Sequence, residues 1–132
     1  MDNLKQIKTL VSCYQEAIHS QNKEDFYQLW SQNNQCSLIS ITNQFIGLES
    51  IFHDFLIGRI QKAYLDIKLI TENIEVNMIN DYFAIVLFQY HTECIKRDSL
   101  EHYGIQGLET QIMIKEDNSW KLLHVHYSKD NG

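Results

Sequence analysis

The chain has 132 residues, 44% of them hydrophobic, so we expect residues 1–132 to fold as one domain around a single core. Its 17 acidic residues outnumber the 11 basic ones. The formal net charge of −6, without a cationic block beyond Lys96-Arg97, argues against nucleic-acid binding. Because the N-terminus lacks an apolar signal region and the longest apolar run, 82–88, is too short to cross a bilayer, we expect a cytoplasmic protein without a membrane partner.

The first half of the sequence predicts three helices and one strand. Apolar residues recur at three- and four-residue spacing over 3–20, which predicts a helix with one buried stripe. A short second helix is predicted over about 23–30, with Trp30 facing inward. Residues 36–41 are β-branched and apolar, which predicts a strand. Gly47 then opens a third helix, whose buried face consists of Ile51, Phe52, Phe55, Leu56 and Ile60.

The second half of the sequence predicts a long antiparallel sheet. The apolar phase of the strand that follows Ala63 shifts near Ile70, which predicts a bulge or bend within 70–73. A turn at Asn80-Asp81 leads into a strand over 82–93, and two further strands are predicted over 100–115 and 119–128. Helices followed by strands indicate an α+β fold, with three helices packed on a strongly bent sheet.

The last strand carries the most specific motif of the chain. It begins with Trp120 and ends in His-Val-His-Tyr-Ser at 124–128, and Phe-Ile-Gly-Leu-Glu at 45–49 leads into the third helix. This arrangement resembles SnoaL-like domains of the nuclear transport factor 2-like superfamily, and is also similar to the association domain of calmodulin-dependent kinases. The resemblance implies a cone-shaped α+β fold with a pocket between the helices and the concave sheet face. It also implies a homodimer formed by the convex face.

Strand alternation indicates which side chains share a face. Over 108–114, Glu109, Gln111 and Met113 lie on one side of the strand. The resemblance assigns that side to the pocket.

On the last strand, the resemblance assigns Leu123, Val125 and Tyr127 to the pocket. Trp120 and Leu122, together with the even-numbered residues from Leu108 to Ile114, are then left for the convex, dimer-forming face. The resulting expectation is a site for a small, largely apolar molecule, lined by Tyr14, Trp30, Phe55, Gln89, His91, Glu109, Gln111 and Tyr127.

Several of these residues have a second interpretation. Gln89 faces either a wet cavity or a structural hydrogen-bond partner, since an unpaired buried amide is costly. Tyr14 is either a core residue or part of the pocket wall. The kinase association domains carry arginines at the positions matching Gln89 and Gln111. Because both residues are uncharged here, the sequence favours a neutral or hydrogen-bonding ligand over a carboxylate.

Three functions from different classes remain open at this point. The first is a non-catalytic ligand-binding domain without a cofactor, and the second is a pure oligomerisation module. The third is a small-molecule lyase, isomerase or cyclase that uses His91 or Glu109 as its general base. The stretch 33–41 contains no Asp or Glu, which argues against chemistry of the steroid-isomerase type.

Two further groups of side chains are candidates for other chemistry. His124 and His126 lie on one strand face at a spacing that suits Zn²⁺ when a third ligand approaches. Because that face is expected to be convex, we predict that they are interface residues and that no metal is bound. The three cysteines are widely spaced, and we expect buried, reduced thiols at Cys13, Cys36 and Cys94.

Overall fold

Helices α1 (Asn3–Ser20) and α2 (Lys23–Gln28) precede the sheet, as predicted, although α2 ends two residues early. The structure is a computed structural model that describes residues 2–130; Met1 and residues 131–132 of the expected domain lie outside the described residues. The Asp2 side chain accepts a hydrogen bond from the Leu4 N–H at 3.0 Å, which caps the first turn of α1. The Asn22 side chain caps α2 in the same way.

The third helix differs from the prediction in its winding. A short α-helical turn, α3 (Leu48–Ser50), continues as a π-helix over Ile51–Gln61. Most π-helical segments are single turns and are frequent at functional sites, so an eleven-residue segment is unusual. Its buried residues agree with four of the five predicted ones, and Ile60 packs partly buried against the same core.

Seven strands form one sheet in the order β2-β1-β7-β6-β4-β3, and β5 pairs with β4. All pairs are antiparallel except β1 with β7, which run parallel. The predicted α+β fold with a strongly bent sheet is confirmed. The strands are β1 (Ser37–Ile39), β2 (Gln44–Ile46), β3 (Tyr64–Asn80), β4 (Phe83–Lys96), β5 (His102–Tyr103), β6 (Gln106–Glu116) and β7 (Ser119–Lys129).

The bend of the sheet begins at irregularities in the strand pairing. The β3–β4 register shifts between Thr71 and Asn73, inside the stretch where the sequence predicted a bulge. The predicted strand over 100–115 is interrupted between β5 and β6 at Gly104. A Cβ atom at Gly104 would lie 2.4 Å from the Thr92 carbonyl oxygen, so only glycine lets the two backbones approach this closely.

A second irregularity corrects the predicted face of β7. The β6–β7 register shifts between Ile112 and Met113, which leaves Leu123 without a partner on β6. Trp120 and Leu122 therefore point inward and are only 5% and 0% exposed, while Val125 beyond the bulge is buried as well. The expectation that Trp120 and Leu122 form a convex interface is wrong, because one extra residue exchanges the faces of a strand.

The hydrophobic core fills the concave side of the sheet. The inward stripe of α1 packs there, and the Gln15 Nε2–H group donates to the Leu69 carbonyl oxygen at 2.9 Å. His19 Nδ1 binds the Ile67 carbonyl oxygen at 2.9 Å, which fixes the same helix along β3. Among residues 2–130, no helix is both long enough and apolar enough to cross a membrane.

Candidate functional site

A cavity of about 110 Å³ lies between α1, the π-helix and the concave face of the sheet. Most of its wall is aliphatic or aromatic, and Glu109 and Lys129 are the charged residues that line it within the described chain. Four of the predicted site residues come together here: Tyr14, Phe55, Glu109 and Tyr127. The remaining lining residues are Ile18, Ile41, Ile60, Tyr64, Ile67, Leu69, Tyr90, Thr92, Cys94, Tyr103, Ile105 and Lys129.

Glu109 is the buried ionisable group of this cavity, with 5% of its surface exposed. The side-chain amide of Gln111 donates to its Oε2 atom at 2.6 Å, and the Tyr90 hydroxyl donates to Oε1 over a long 3.5 Å. Burial raises the pKa of the Glu109 carboxyl from 4.5 to about 7, although both hydrogen bonds lower it. The group can therefore take up and release a proton near neutral pH.

Three tyrosines surround Glu109 on the cavity wall. Burial first, and the nearby Glu109 charge second, raise the pKa of Tyr14, Tyr90 and Tyr127 above the ordinary value of 10. All three phenols therefore stay protonated and offer O–H donors. Gly107 makes room for one of them, since a Cβ atom there would lie 2.4 Å from Cζ of Tyr90.

Gln111 lies beside the cavity and faces no water. It is 0% exposed, its amide N–H binds Glu109, and its Oε1 atom has no hydrogen-bond partner among the described residues. The predicted face of β6 is confirmed, because Glu109, Gln111 and Met113 are all buried on the concave side. Gln111 does not line the cavity, contrary to expectation, because its amide is buried against the neighbouring Glu109 carboxylate.

Gln89 and His91 lie on the opposite face of the sheet. Cross-strand partners share a face, and the register pairs Gln89 with Leu108 and Phe88 with the inward-facing Glu109. The expectation that Gln89 and His91 point into the cavity is therefore wrong. The sequence of β4 shows which residues share a face of the strand. The pairing with β6 determines which of the two faces is the concave one.

His91 interacts with two acidic side chains on the outer face. Its Nδ1 and Nε2 atoms lie 2.6 Å and 3.2 Å from carboxylate oxygens of Glu72 and Glu93. These contacts, that of Glu72 first, raise the pKa of the His91 imidazole. His91 cannot act as a base in the cavity from this position, which leaves Glu109 as the predicted base that lines it.

Trp30 is a core residue that does not line the cavity. It is fully buried against Phe26, with ring centroids 5.8 Å apart, and its Nε1 atom has no partner among the described residues. Phe55 does line the cavity and packs on Phe45 and Tyr127. Trp30 therefore belongs to the core and Phe55 to the cavity wall, a difference that their spacing along the helices does not show.

Sequence reasoning missed Tyr90, whose hydroxyl donates to Glu109 at 3.5 Å. The alternation of β4 contained a signal, because Phe88, Tyr90, Thr92 and Cys94 form its buried face. The pairing of Phe88 with Glu109 is needed to show that this face of β4 is the one that faces the cavity.

His124 and His126 face outward on β7, and their ring centroids lie 6.4 Å apart. His124 Nδ1 lies 2.6 Å from the Ser37 hydroxyl oxygen, and burial lowers the pKa of the His124 ring. Residues 2–130 contain no group of three or more His, Cys, Asp or Glu side chains arranged to hold a metal ion. The cysteines carry no disulfide; Cys36 and Cys94 are buried as expected, whereas Cys13 is exposed, contrary to expectation.

The sequence matches the family model of the calcium/calmodulin dependent protein kinase II association domain over residues 3–131. No curated protein matches the chain. The match and the structural likenesses that follow confirm the resemblance to the nuclear transport factor 2-like superfamily and to the kinase association domains.

Several solved structures share the fold. A nuclear transport factor 2-like superfamily protein from Salmonella enterica superposes with a TM-score of 0.89 at 21% identity, over 97% of this chain and 92% of that chain. An uncharacterised protein with a cystatin-like fold from Caulobacter vibrioides gives 0.81 at 16% identity, over 97% and 89%. The hexachlorocyclohexane dehydrochlorinase LinA-type3 from Novosphingobium barchaimii gives 0.84 at 11% identity, over 96% and 85%. At these identities the likeness concerns the fold alone.

The raised pKa of Glu109 predicts a pH-dependent stability that a neutral side chain removes. The folded protein holds this proton up to about pH 7, whereas the unfolded chain releases it near 4.5. The contribution of Glu109 to stability is therefore most favourable below pH 4.5 and falls as the pH rises to 7. Glu109→Gln should therefore stabilise the protein at pH 8 by about 3 kcal/mol relative to its effect at pH 4. Urea unfolding at both pH values measures this difference.

Glu101→Gln, at an exposed glutamate, is the matched control for the loss of one acidic group. Equal pH dependence in the wild type and in Glu109→Gln would show that Glu109 is not held protonated by burial.

Proposed function

The chain belongs to the calcium/calmodulin dependent protein kinase II association domain family, and on that premise we propose that it binds a small, largely apolar molecule in the cavity beside Glu109. Residues 1–132 act in this proposal as one binding domain. The three free cysteines suit a reducing compartment such as the cytoplasm.

The observation that supports this proposal most strongly is the buried carboxyl group itself. Glu109 forms no salt bridge with any described residue, and its partners are an amide and a distant phenol. Burying such a group lowers stability, and a hydrophobic residue in its place would avoid that loss. A strongly shifted carboxyl in a cavity is characteristic of binding and catalytic sites.

The size and lining of the cavity limit the ligand. A volume of about 110 Å³ is somewhat smaller than the engineered 150 Å³ cavity that accepts benzene, so a molecule of about one ring fits. The aliphatic and aromatic wall favours an apolar body. The Glu109 charge opposes a carboxylate on the ligand, in agreement with the absence of arginine at Gln111, which lies beside the cavity.

Filling the cavity mouth should abolish binding. Ile105 lines the cavity while partly exposed, so a larger side chain can occupy the opening without disturbing the deep core. Ile105→Trp should weaken the binding of toluene or phenol at least about tenfold, as measured by saturation-transfer NMR and calorimetry. Leu100→Trp, at an exposed loop position, is the matched control and should bind like the wild type.

Failure of every single-ring probe to bind the wild-type protein would refute the binding proposal. Native mass spectrometry of freshly purified protein provides an independent result, since a copurifying small molecule identifies the ligand directly.

A second candidate function is proton abstraction by Glu109. A general base works best with a pKa close to the working pH, and the pKa of Glu109 is about 7. One protein of the same fold is named as a dehydrochlorinase, an enzyme class that removes hydrogen chloride. Of the two candidate bases, His91 and Glu109, the lyase proposal uses Glu109, since His91 lies on the outer face.

Deuterium exchange tests this second candidate without knowledge of the natural substrate. In D₂O the wild type should speed exchange at the carbon next to the carbonyl group of cyclohexanone, because Glu109 removes that proton. Glu109→Gln should lower the catalysed rate at least about 100-fold while binding persists. Equal exchange by both proteins, followed by NMR, would exclude Glu109 as the base.

The homodimer is proposed through the outer face of the sheet. Ile85 on β4 pairs with Ile112 on β6. On the same face, Leu87 of β4 and Leu108 of β6 are 48% and 37% exposed. We call these four residues the outer patch. An exposed apolar patch of this kind is rare on monomers, and the family is named for association.

A charge in the outer patch should separate the subunits. We expect Leu87→Glu to convert a dimer into a monomer in light scattering at micromolar concentration, because it buries an unpaired carboxylate at each copy of the interface. Leu4→Glu on the exposed side of α1 is the control and should stay dimeric. A monomeric wild type at that concentration contradicts the dimer.

A further inference from the structure

We propose that the cavity selects neutral single-ring molecules that carry a hydrogen-bond donor and an acceptor on adjacent atoms, as a cyclic amide does. In this arrangement Glu109 accepts from the ligand donor, and the Tyr14 hydroxyl donates to the ligand acceptor. This inference rests on the proposed binding function and adds the chemical class of the ligand.

The Tyr14 hydroxyl supplies the donor. Tyr14 lines the cavity from α1 and is 2% exposed, and its hydroxyl forms no hydrogen bond with any described residue. Because this O–H group lines the cavity without a protein partner, it can donate to an acceptor on a molecule that occupies the cavity. Burial keeps the phenol protonated, because it raises the Tyr14 pKa well above 10.

Glu109 supplies the acceptor. Its Oε2 atom is held by Gln111 at 2.6 Å, whereas Oε1 has only the Tyr90 hydroxyl at 3.5 Å. A carboxylate has about four acceptor positions on its two oxygens, so Oε1 retains capacity for a ligand N–H or O–H group. The Gln111 contact fixes the carboxyl group in one orientation.

The two groups are close to each other without being bonded. Tyr14 and Glu109 line the same cavity of about 110 Å³, yet no hydrogen bond joins the two side chains. A ligand group that donates on one side and accepts on the next atom satisfies both at once. A cyclic amide presents N–H and C=O along the same edge of one ring and so matches the pair.

Charge argues against the other ligand classes. A carboxylate at this position would be repelled by Glu109. The lysine that lines the cavity, Lys129 on β7, is exposed to solvent and therefore compensates this repulsion only weakly. An ammonium group brings three N–H donors that each require an acceptor after leaving water. A neutral ring avoids both penalties.

The test compares probes that differ by one polar group. At pH 8, calorimetry should show that 3-methyl-2-pyridone binds at least about tenfold more tightly than 1-methyl-2-pyridone, which has the same atoms but no N–H donor. Tyr14→Phe should weaken 3-methyl-2-pyridone about tenfold, equivalent to about 1.4 kcal/mol, and leave toluene unchanged. Tyr82→Phe, at an exposed tyrosine, is the matched control.

Four outcomes overturn the inference. Tightest binding by benzoate or by benzylamine would show that the cavity selects a charge. An equal loss of toluene and pyridone binding in Tyr14→Phe would show that the hydroxyl acts only through packing. Binding of toluene without preference between the two pyridones refutes the donor–acceptor pair while the binding function stands, whereas no binding by any probe refutes both.

Discussion

The bend of the sheet is the constraint on which the remaining structure depends. A flat sheet cannot surround a helix, and here the shifted pairing between Thr71 and Asn73 and the extra residue Leu123 provide the curvature. The concave surface then receives α1, and hydrogen bonds from Gln15 and His19 in its C-terminal half hold it to the β3 backbone. The space that α1 and the π-helix do not fill beside Glu109 is the cavity.

Within that cavity, desolvation outweighs hydrogen bonding at Glu109. Two hydrogen bonds favour the charged carboxylate, yet burial still raises its pKa to about 7, and no cation within residues 2–130 is paired with it. The same burial keeps the surrounding phenols protonated. One carboxyl that titrates near neutrality and several permanent O–H donors therefore face the same small volume. This combination suits the recognition of a hydrogen-bonding ligand, and also suits proton transfer.

The two faces of the sheet have different chemistry. The concave face is enclosed and holds the Glu109 cluster, whereas the outer face presents aliphatic side chains together with His91, His124 and His126. On that face His91 is engaged by Glu72, and His124 by Ser37. The sequence analysis predicted one site that contained Gln89, His91 and Glu109. Gln89 and His91 lie on the outer face and Glu109 on the concave face. The proposed ligand site and the proposed dimer interface can consequently be altered independently by mutation.

Local patterns in the sequence were sufficient for most of the helices and strands and for the class of fold. The sequence alone shows the apolar stripe of α1, the phase shift near Ile70 and the shared face of Glu109 and Gln111, because each of these patterns lies within one segment. The short strand β2 and the π-helical winding after Ser50 left no such pattern and were missed.

Relations between segments were decided only by the tertiary structure. The β4–β6 pairing turned Gln89 and His91 outward and brought Tyr90 to Glu109, and the bulge at Leu123 turned Trp120 and Leu122 into the core. A strand has two faces that alternate identically, and its own residues do not record which neighbour it pairs with or where one extra residue is inserted. Strand alternation therefore determined which residues lie together on a face, while pairing and bulges determined which face became the site.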